Sequence, residues 1–428
     1  MNESSQLAPA APPPYGAAME QLAFDPAAAR AALDLLPCKP AVFSLHAAEA
    51  HAEPYIGRTP NLRGRLERLL QPSPKHPRRL QLAARVRLIR WRLTGSDFES
   101  LLVQFALLEN AFGAKCLERM HLGAPAFLRF FGGNSYPRLA VTNRPSQREA
   151  AWAYGPFASR AAAERFAEET LKLFQLRRCT DDLSPHPDHP GCVYSEMKMC
   201  LAPCFQGCTD ARYAEEAAAV ERFLATRGQS RLAALRAARD AASANLEFES
   251  AAALHAQVLR VEAVRALAPE LVQPLSRLRA VVLQASAQPD EVAVFLYEDG
   301  RLRGPAGFST VGMRIQNEHS GSSSLFAQPL ALEPVPEETA AAPAKIARGL
   351  LESRMDAALA ALAEPLQPPS ATLRQGHLAL LKRWYHRPEI RRPGEIFFPA
   401  EDGKWPIKAM LRGAGRIAAR ALTHTGAA

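Results

Sequence analysis

Five of the seven cysteines, Cys179, Cys192, Cys200, Cys204 and Cys208, fall within 30 residues; Cys38 and Cys116 lie elsewhere. That clustering constrains the chain more than any hydrophobic pattern in it, because thiols that share a ligand must be carried to one point. Seven cysteines in 428 residues are too few for a disulfide scaffold. In a reducing compartment such a group reads as a metal site. The spacing is Cys179-x12-Cys192-x7-Cys200-x3-Cys204, without the close C-x-x-C knuckles common in structural zinc sites. Four thiolates hold either Zn²⁺ or an iron–sulfur cluster, and the spacing leaves both open. Cys208 is a fifth thiol without an assigned role.

The length implies two to four domains. The 52 Lys and Arg outnumber the 43 Asp and Glu, for a formal charge of +9. Such an excess favours a polyanionic partner, most simply nucleic acid. No run of 18 apolar residues suits a membrane span, and the first basic residue is Arg30, so a secretory leader is not expected. A cytoplasmic protein without membrane association is the expectation.

The pattern predicts a multidomain α/β (α+β) chain. Residues 1–36 read as a disordered Ala/Pro tail. Residues 37–118 read as a small α+β domain: strands at Ala41–Leu45 and Pro54–Gly57, a helix over 62–70, a basic strand over 84–93 and a helix behind Ser96, which has Glu99 at capping-box spacing. In the basic strand a phase slip at Leu88-Ile89 predicts a bulge. Residues 119–209 read as a strand over 136–142, a turn at Tyr154–Phe157, a helix over 159–176 and the cysteine region. Residues 210–275 are helical, and 239–264 form a two-helix hairpin joined near Asn245-Leu246, with Phe248, Ala252, Val258 and Val261 as its seam. A β-rich segment of four short runs over 276–315, a linker over 316–345 and a basic helical region over 346–428 complete the chain.

Two further constellations carry chemistry. Residues 54–66 read PYIGRTPNLRGRL, in which Tyr55, Arg58 and Arg65 are expected to converge. Phosphodiester cleavage needs such donors, because charge develops on phosphate oxygens and on the attacking oxygen. Packing of Tyr55 with solvated arginines is the alternative. From Arg58 to Arg92 there are eleven Lys and Arg and one acid, Glu67, a phosphate-facing imbalance that includes Arg85, Arg87 and Arg90. Near the end of the chain Lys382, Arg383, Trp384, Tyr385, Arg387, Arg391, Arg392, Phe397, Phe398, Lys404, Trp405 and Lys408 interleave basic and aromatic groups. This stretch reads equally as a base-stacking surface or as a packed helical end.

Residues 41–109 resemble a GIY-YIG nuclease domain of the UvrC excision-repair type, with Ala41-Val42-Phe43 and Tyr55-Ile56-Gly57 as its two motifs. The resemblance implies that Tyr55 helps activate water, that Arg65 stabilises transition-state charge and that Arg58 replaces a basic residue after the second motif. It implies Mg²⁺ or Mn²⁺ as the catalytic ion. Two positions depart from the family: Phe43 stands for a tyrosine, and Gln104 stands where the metal-binding Glu is expected. A unit charge at ~4 Å is worth about 4 kcal/mol at an effective dielectric near 20, so the loss of that carboxylate predicts poor metal binding and impaired incision. The segment from Tyr154 to Cys204 resembles the UvrC central region, which implies a 4Fe–4S cluster on Cys179, Cys192, Cys200 and Cys204. The phrase Asn245-Leu246-Glu247-Phe248-Glu249, followed by Ala251-Ala252, resembles the UVR motif, which implies a UvrB-type partner contacted through Leu246 and Phe248. The second nuclease half and the helix-hairpin-helix motifs of a full UvrC are not legible in 314–428.

The expected function is therefore nucleotide-excision DNA repair by a chain that binds DNA and a UvrB-type protein. A non-catalytic iron–sulfur DNA-binding scaffold, a single-incision endonuclease using another carboxylate such as Glu99 or Glu109, and a zinc-dependent DNA-binding regulator compete with it. Acidic groups near Tyr55 and Arg65 discriminate, since a pure scaffold needs none there.

Overall fold

The computed structural model describes residues 19–49, 51–71, 82–131, 133–144, 153–180, 183–313, 348–364 and 367–425. They fall into two compact units. One takes the chain through His121 together with Arg279–Pro368 and the residues from Pro388 on; the other takes Leu122–Leu278 and Pro369–Arg387.

The first unit begins with strand β1 (Glu20–Ala23) and helix α1 (Ala29–Asp34), then β2 (Ala41–Ala47), β3 (Tyr55–Thr59), helix α2 (Leu62–Leu70), β4 (Val86–Leu93), α3 (Asp97–Phe112) and the short α4 (Cys116–Arg119). The strands form an antiparallel sheet in the order β1-β4-β2-β3. Strand alternation sorts the side chains. Phe43, Leu45, Ile89 and Trp91 pack with Leu33, Leu36, Leu62 and Leu66 of the helices α1 and α2 and their flanks. The expected tail therefore ends earlier than 36: Leu33 and Leu36 are fully buried, and Glu20–Ala23 pairs along β4. Short β1 lacks a strong strand pattern of its own; what holds it is the free edge of β4. Residues 1–18 lie outside the described residues. The predicted bulge in β4 is present one step earlier, where His46 pairs with Leu88 and Ala47 with Val86.

The second unit contains β5 (Ala126–Phe130), β6 (Leu139–Thr142), β7 (Ala153–Phe157), α5 (Arg160–Leu171), α6 (Val193–Glu196), α7 (Asp210–Ala225), α8 (Gln229–Ala244), α9 (Phe248–Ala266) and β8 (Gln273–Pro274). Its sheet order is β6-β5-β7-β8. The segment read as a turn at 154–157 is instead a fully buried strand, kinked by a register shift against β5. Gly155 tolerates that kink: a Cβ there would meet Phe127 at 2.7 Å. One core joins Leu128, Tyr154, Phe166, Tyr213, Val220, Phe223, Leu232, Val258 and Val261.

The chain then returns to the first unit with β9 (Ala280–Ala285), β10 (Glu291–Glu298), β11 (Arg301–Ser309) and α10 (Arg348–Leu362). After α11 (Ala371–Tyr385), which belongs to the second unit, come β12 (Glu395–Phe397) and α12 (Ile407–Thr425). The last sheet runs β11-β10-β9-β12, so the fourth run expected near 279–313 is supplied from residues 395–397. Val292, Val294 and Leu296 face Met355, Met410 and Ala414 of α10 and α12. On the other face Phe295 meets Phe98 of α3 edge-on, ring centroids 5.2 Å apart. Both faces of β10 are covered, which explains its unbroken apolar run. The boundaries drawn at 276–315 and 346–428 are corrected accordingly: those segments share one sheet. The intervening linker, 316–345, lies outside the described residues.

Candidate functional site

The expected cluster of Tyr55, Arg58 and Arg65 lies around the β3–α2 junction. Asn61 caps α2 by accepting from the Gly64 amide at 2.9 Å, and Thr59 Oγ1 donates to the Asn61 carbonyl at 2.9 Å. Arg63 Nε reaches back to the Leu36 carbonyl at 2.7 Å. The helix start is thus fixed on the strand end, and an Arg65 guanidinium nitrogen lies 3.3 Å from the phenolic oxygen of Tyr55. Phe43 pairs with Gly57 across the strands and is fully buried, its ring centroid 6.1 Å from that of Tyr55. Gly57 has to be glycine, because a Cβ there would stand 2.9 Å from Phe43 Cζ.

Arg58 does not join them. It is three residues from Tyr55 on a regular strand and therefore on the opposite face of the sheet. There it forms an ion pair with Asp97, in the first turn of α3. Val42 pairs with both Arg58 and Arg92, so the three side chains make a row, and Arg92 pairs with Glu99 at 3.4 Å. The expected convergence of Tyr55, Arg58 and Arg65 is corrected to the pair Tyr55 and Arg65. Glu99 is buried and accepts from the Gly95 amide at 2.9 Å, one residue earlier than an ordinary capping box. Burial raises its pKa, against the hydrogen bond from Gly95 and the charge of Arg92. It holds a turn and is not open to a metal. Gln104 and Glu109 are half-buried farther along α3.

Sequence reasoning missed the acids that do border Tyr55. Glu49, His51 and Glu53 line one depression with Leu45, Tyr55, Leu82 and Arg85. Glu53 also pairs with Arg119 at 2.9 Å. The polar loop HAAEAHAEPY was visible, but no spacing rule ties a loop acid to a strand end.

The basic strand exposes Arg85, Arg87 and Arg90. One Arg87 nitrogen donates to the carbonyls of Ala84 at 2.9 Å and Val86 at 2.8 Å. Arg90 stands opposite Gln21 and Ser44. Burial, then the charge of Arg90, lowers the pKa of His46, which shares a 2.9 Å hydrogen bond with Ser44.

In the cysteine region Cys200 and Cys204 are buried, and Cys179 and Cys192 are half-buried. Cys192 begins α6 in a reciprocal cap: its amide donates to Ser195 Oγ at 2.9 Å, and Ser195 Oγ donates back to its carbonyl at 2.6 Å. Lys198, Ala202 and Gln206 all have φ between 52° and 59°. Left-handed backbone costs about 1–2 kcal/mol per non-glycine residue, so the loop spends stability to take this shape. Burial raises the pKa of Cys200, and the charges of Cys192, Cys204 and Cys179 add to it; Cys204 is raised by burial and by Cys192 and Cys179. The four thiols share one electrostatic neighbourhood. Among the described residues, however, no three His, Cys, Asp or Glu side chains gather as a site for a single metal ion. Arg177, which sequence reasoning passed over, donates toward Cys179 Sγ at 3.7 Å and is held by the Tyr136 carbonyl at 3.0 Å. Cys208 packs against the core of the second unit.

The α8–α9 hairpin turns at 245–247, as expected. Its seam differs: Val258, Val261 and Val264 are buried with Leu232 and Leu235, whereas Ala252 is exposed. Leu246 and Phe248 are 71 % and 66 % exposed at the tip. Phe248 is thus removed from the seam to the surface. Near the end of the chain the stacking surface dissolves. Trp384 is 1 % exposed, and Trp405 and Phe397 pack on the core under the last sheet. Arg279 lies over the Trp405 ring at 5.1 Å.

A profile of the UvrC/Cho excinuclease middle domain matches residues 127–223, the sheet, helix and cysteine loop of the second unit. Over these residues the chain is similar to the UvrC family. It is 28 % identical to the UvrABC system protein C of Alcanivorax borkumensis over 233 residues, 54 % of this chain and 38 % of that protein. Over 279 residues it is 27 % identical to the UvrABC system protein C of Carboxydothermus hydrogenoformans, covering 65 % of this chain and 45 % of that one. The protein of that name from a Ruegeria species is 30 % identical over 206 residues. The UvrC-like chain thus spans less than half the length of the first two relatives. No solved structure matches it. Among the described residues of the UvrC-like chain no helix is long and apolar enough to cross a membrane.

Proposed function

We propose that this UvrC-like chain acts in nucleotide-excision DNA repair, binding DNA through the basic strand β4 and a UvrB-type protein through the tip of the α8–α9 hairpin. The observation that carries the reading is the exposure of Leu246 and Phe248. Two large apolar groups held in water on a rigid hairpin gain most when a partner buries them, by roughly 1.5–3 kcal/mol each.

The first domain is a GIY-YIG nuclease fold with impaired metal-dependent incision. Arg65 places positive charge beside the Tyr55 oxygen, which orients a phenol toward a phosphodiester and stabilises charge developing there. The fully buried Phe43 supplies no second hydroxyl, and Gln104 supplies no charge for Mg²⁺ or Mn²⁺. Arg58, paired with Asp97 behind the sheet, binds no substrate at this site. A second reading, incision with a different carboxylate, is favoured by Glu49 and Glu53 in the Tyr55 depression.

Cys179, Cys192, Cys200 and Cys204 would hold a 4Fe–4S cluster. Zn²⁺ draws four thiolates to within ~4 Å of one another through bonds of about 2.3 Å. A cluster interposes irons and sulfides and spaces its thiolates wider, which suits thiols that feel one another's charge without forming a single-ion site. Bound there, it would cross-link the loop and offset part of the thiolate charge; Arg177 orients Cys179. A nicking assay on damaged and undamaged duplex, with Mg²⁺ or Mn²⁺ and with or without UvrB, tests the whole reading. A protein that neither binds duplex DNA in a gel-shift assay nor associates with UvrB would reject it.

A further inference from the structure

The turn between α7 and α8 carries more than packing requires. The Gly228 amide donates to the Phe223 carbonyl at 2.7 Å and the Arg227 amide to the Leu224 carbonyl at 3.2 Å, closing α7. Arg227 and Gly228 are both left-handed, at φ 50° and 82°. Glycine takes that conformation freely, but an arginine there is strained. Gly228 is needed for a second reason: a Cβ would stand 2.6 Å from Cγ and 2.7 Å from Cδ of Arg265. The Arg265 stem crosses the turn at this gap, and its Nε donates to the Arg227 carbonyl at 2.8 Å.

Both arginines thereby line one cavity with Tyr154, Phe166, Phe223 and Ala268. It holds about 300 Å³ of empty space, its open mouth included. Among the described residues no acid lines it, and Arg227 Nε is buried without a hydrogen-bond partner among them. The Tyr154 hydroxyl is pushed up to about 12 by burial, against the charge and hydrogen bond of Arg227 and the charge of Arg265. It is a neutral donor at physiological pH. Two half-buried guanidiniums with no carboxylate between them repel each other, and an unmatched buried N–H costs stability. An oxyanion removes both penalties at once.

We propose that this cavity binds one phosphate-type oxyanion, with the Arg227 and Arg265 guanidiniums and the Tyr154 hydroxyl as donors and the two phenylalanine rings excluding water. Free inorganic phosphate and a backbone phosphate of nucleic acid share that chemistry.

The test uses the full chain. Thermal unfolding and isothermal titration are run with inorganic phosphate against sodium chloride at matched ionic strength. Phosphate is expected to raise the melting temperature saturably and beyond chloride. Tyr154→Phe and Arg227→Asn, the latter compatible with left-handed backbone, are each expected to weaken phosphate binding about ten-fold with circular dichroism unchanged. Equal effects of phosphate and chloride, or undiminished affinity in both variants, would overturn the proposal. A short DNA duplex that competes with phosphate in the wild-type protein, and not in Arg227→Asn, identifies the backbone as the source; phosphate binding without competition identifies the free anion.

Discussion

Arg65 reaches the phenolic oxygen of Tyr55 at 3.3 Å, from the first turn of α2 to the first residue of β3. That link brings Tyr55 and Arg65 together and leaves Arg58 outside the pair.

Impaired incision is the proposal that bears on this pair. The natural sequence is expected to nick duplex DNA negligibly with Mg²⁺ or Mn²⁺, and Gln104→Glu to gain measurable metal-dependent nicking, since a carboxylate adds several kcal/mol of attraction to a divalent ion. Phe43→Tyr should raise nicking further in the Gln104→Glu background while lowering stability by about 1–3 kcal/mol, because the new hydroxyl enters a fully buried position. Efficient nicking by the unmodified protein that disappears in Glu49→Gln would instead establish the loop acid as the metal ligand.

Glu99 links folding to pH. Its pKa is raised in the folded state, chiefly by burial, so the folded protein binds more protons than the unfolded chain just above the ordinary carboxylate range. Stability from this group is therefore full below the unfolded pKa and declines as pH rises through the folded one. Urea denaturation across that window should show Glu99→Gln with a flatter pH dependence than wild type. Parallel curves would contradict the assignment.

Anaerobically purified protein is expected to be brown and to carry about four irons per chain on its four thiolates. Cys200→Ser should lose the visible absorption and destabilise residues 179–208, measured by hydrogen exchange. Stoichiometric zinc without iron would refute the cluster.

Phe248→Asp changes a side chain that is 66 % exposed, so the fold should be unaffected by circular dichroism. Binding to UvrB should fall at least ten-fold in surface plasmon resonance; unchanged affinity would remove this tip from the interface.

DNA affinity should fall steeply with salt. Each of Arg85, Arg87 and Arg90 that contacts a phosphate contributes about −0.9 to the log–log slope, so replacing all three with Gln should flatten it by up to ~3. A slope identical to wild type would place the DNA elsewhere.

Local chemistry made much of this legible in the chain. The Ser96 cap, the strand at Ala41–Leu45, the slip in β4 and the turn near Asn245 all follow from interactions between residues a few positions apart, and each stands within a residue or two of its expected place. The cysteine spacing likewise marked the loop. What tertiary structure decided involves partners far apart in sequence. Glu20–Ala23 is a strand because β4 offers an open edge, and Tyr154–Phe157 is a strand because β5 and the core bury it. Phe98 and Phe295 are 197 positions apart, yet their contact makes one unit of segments that read as separate domains. Arg58 leaves Tyr55 because the pleat sends it to the face where Asp97 waits, and Phe248 leaves the hairpin seam because the three valines of α9 fill it. Burial is a property of the assembled surfaces, and no window of sequence contains the opposing surface.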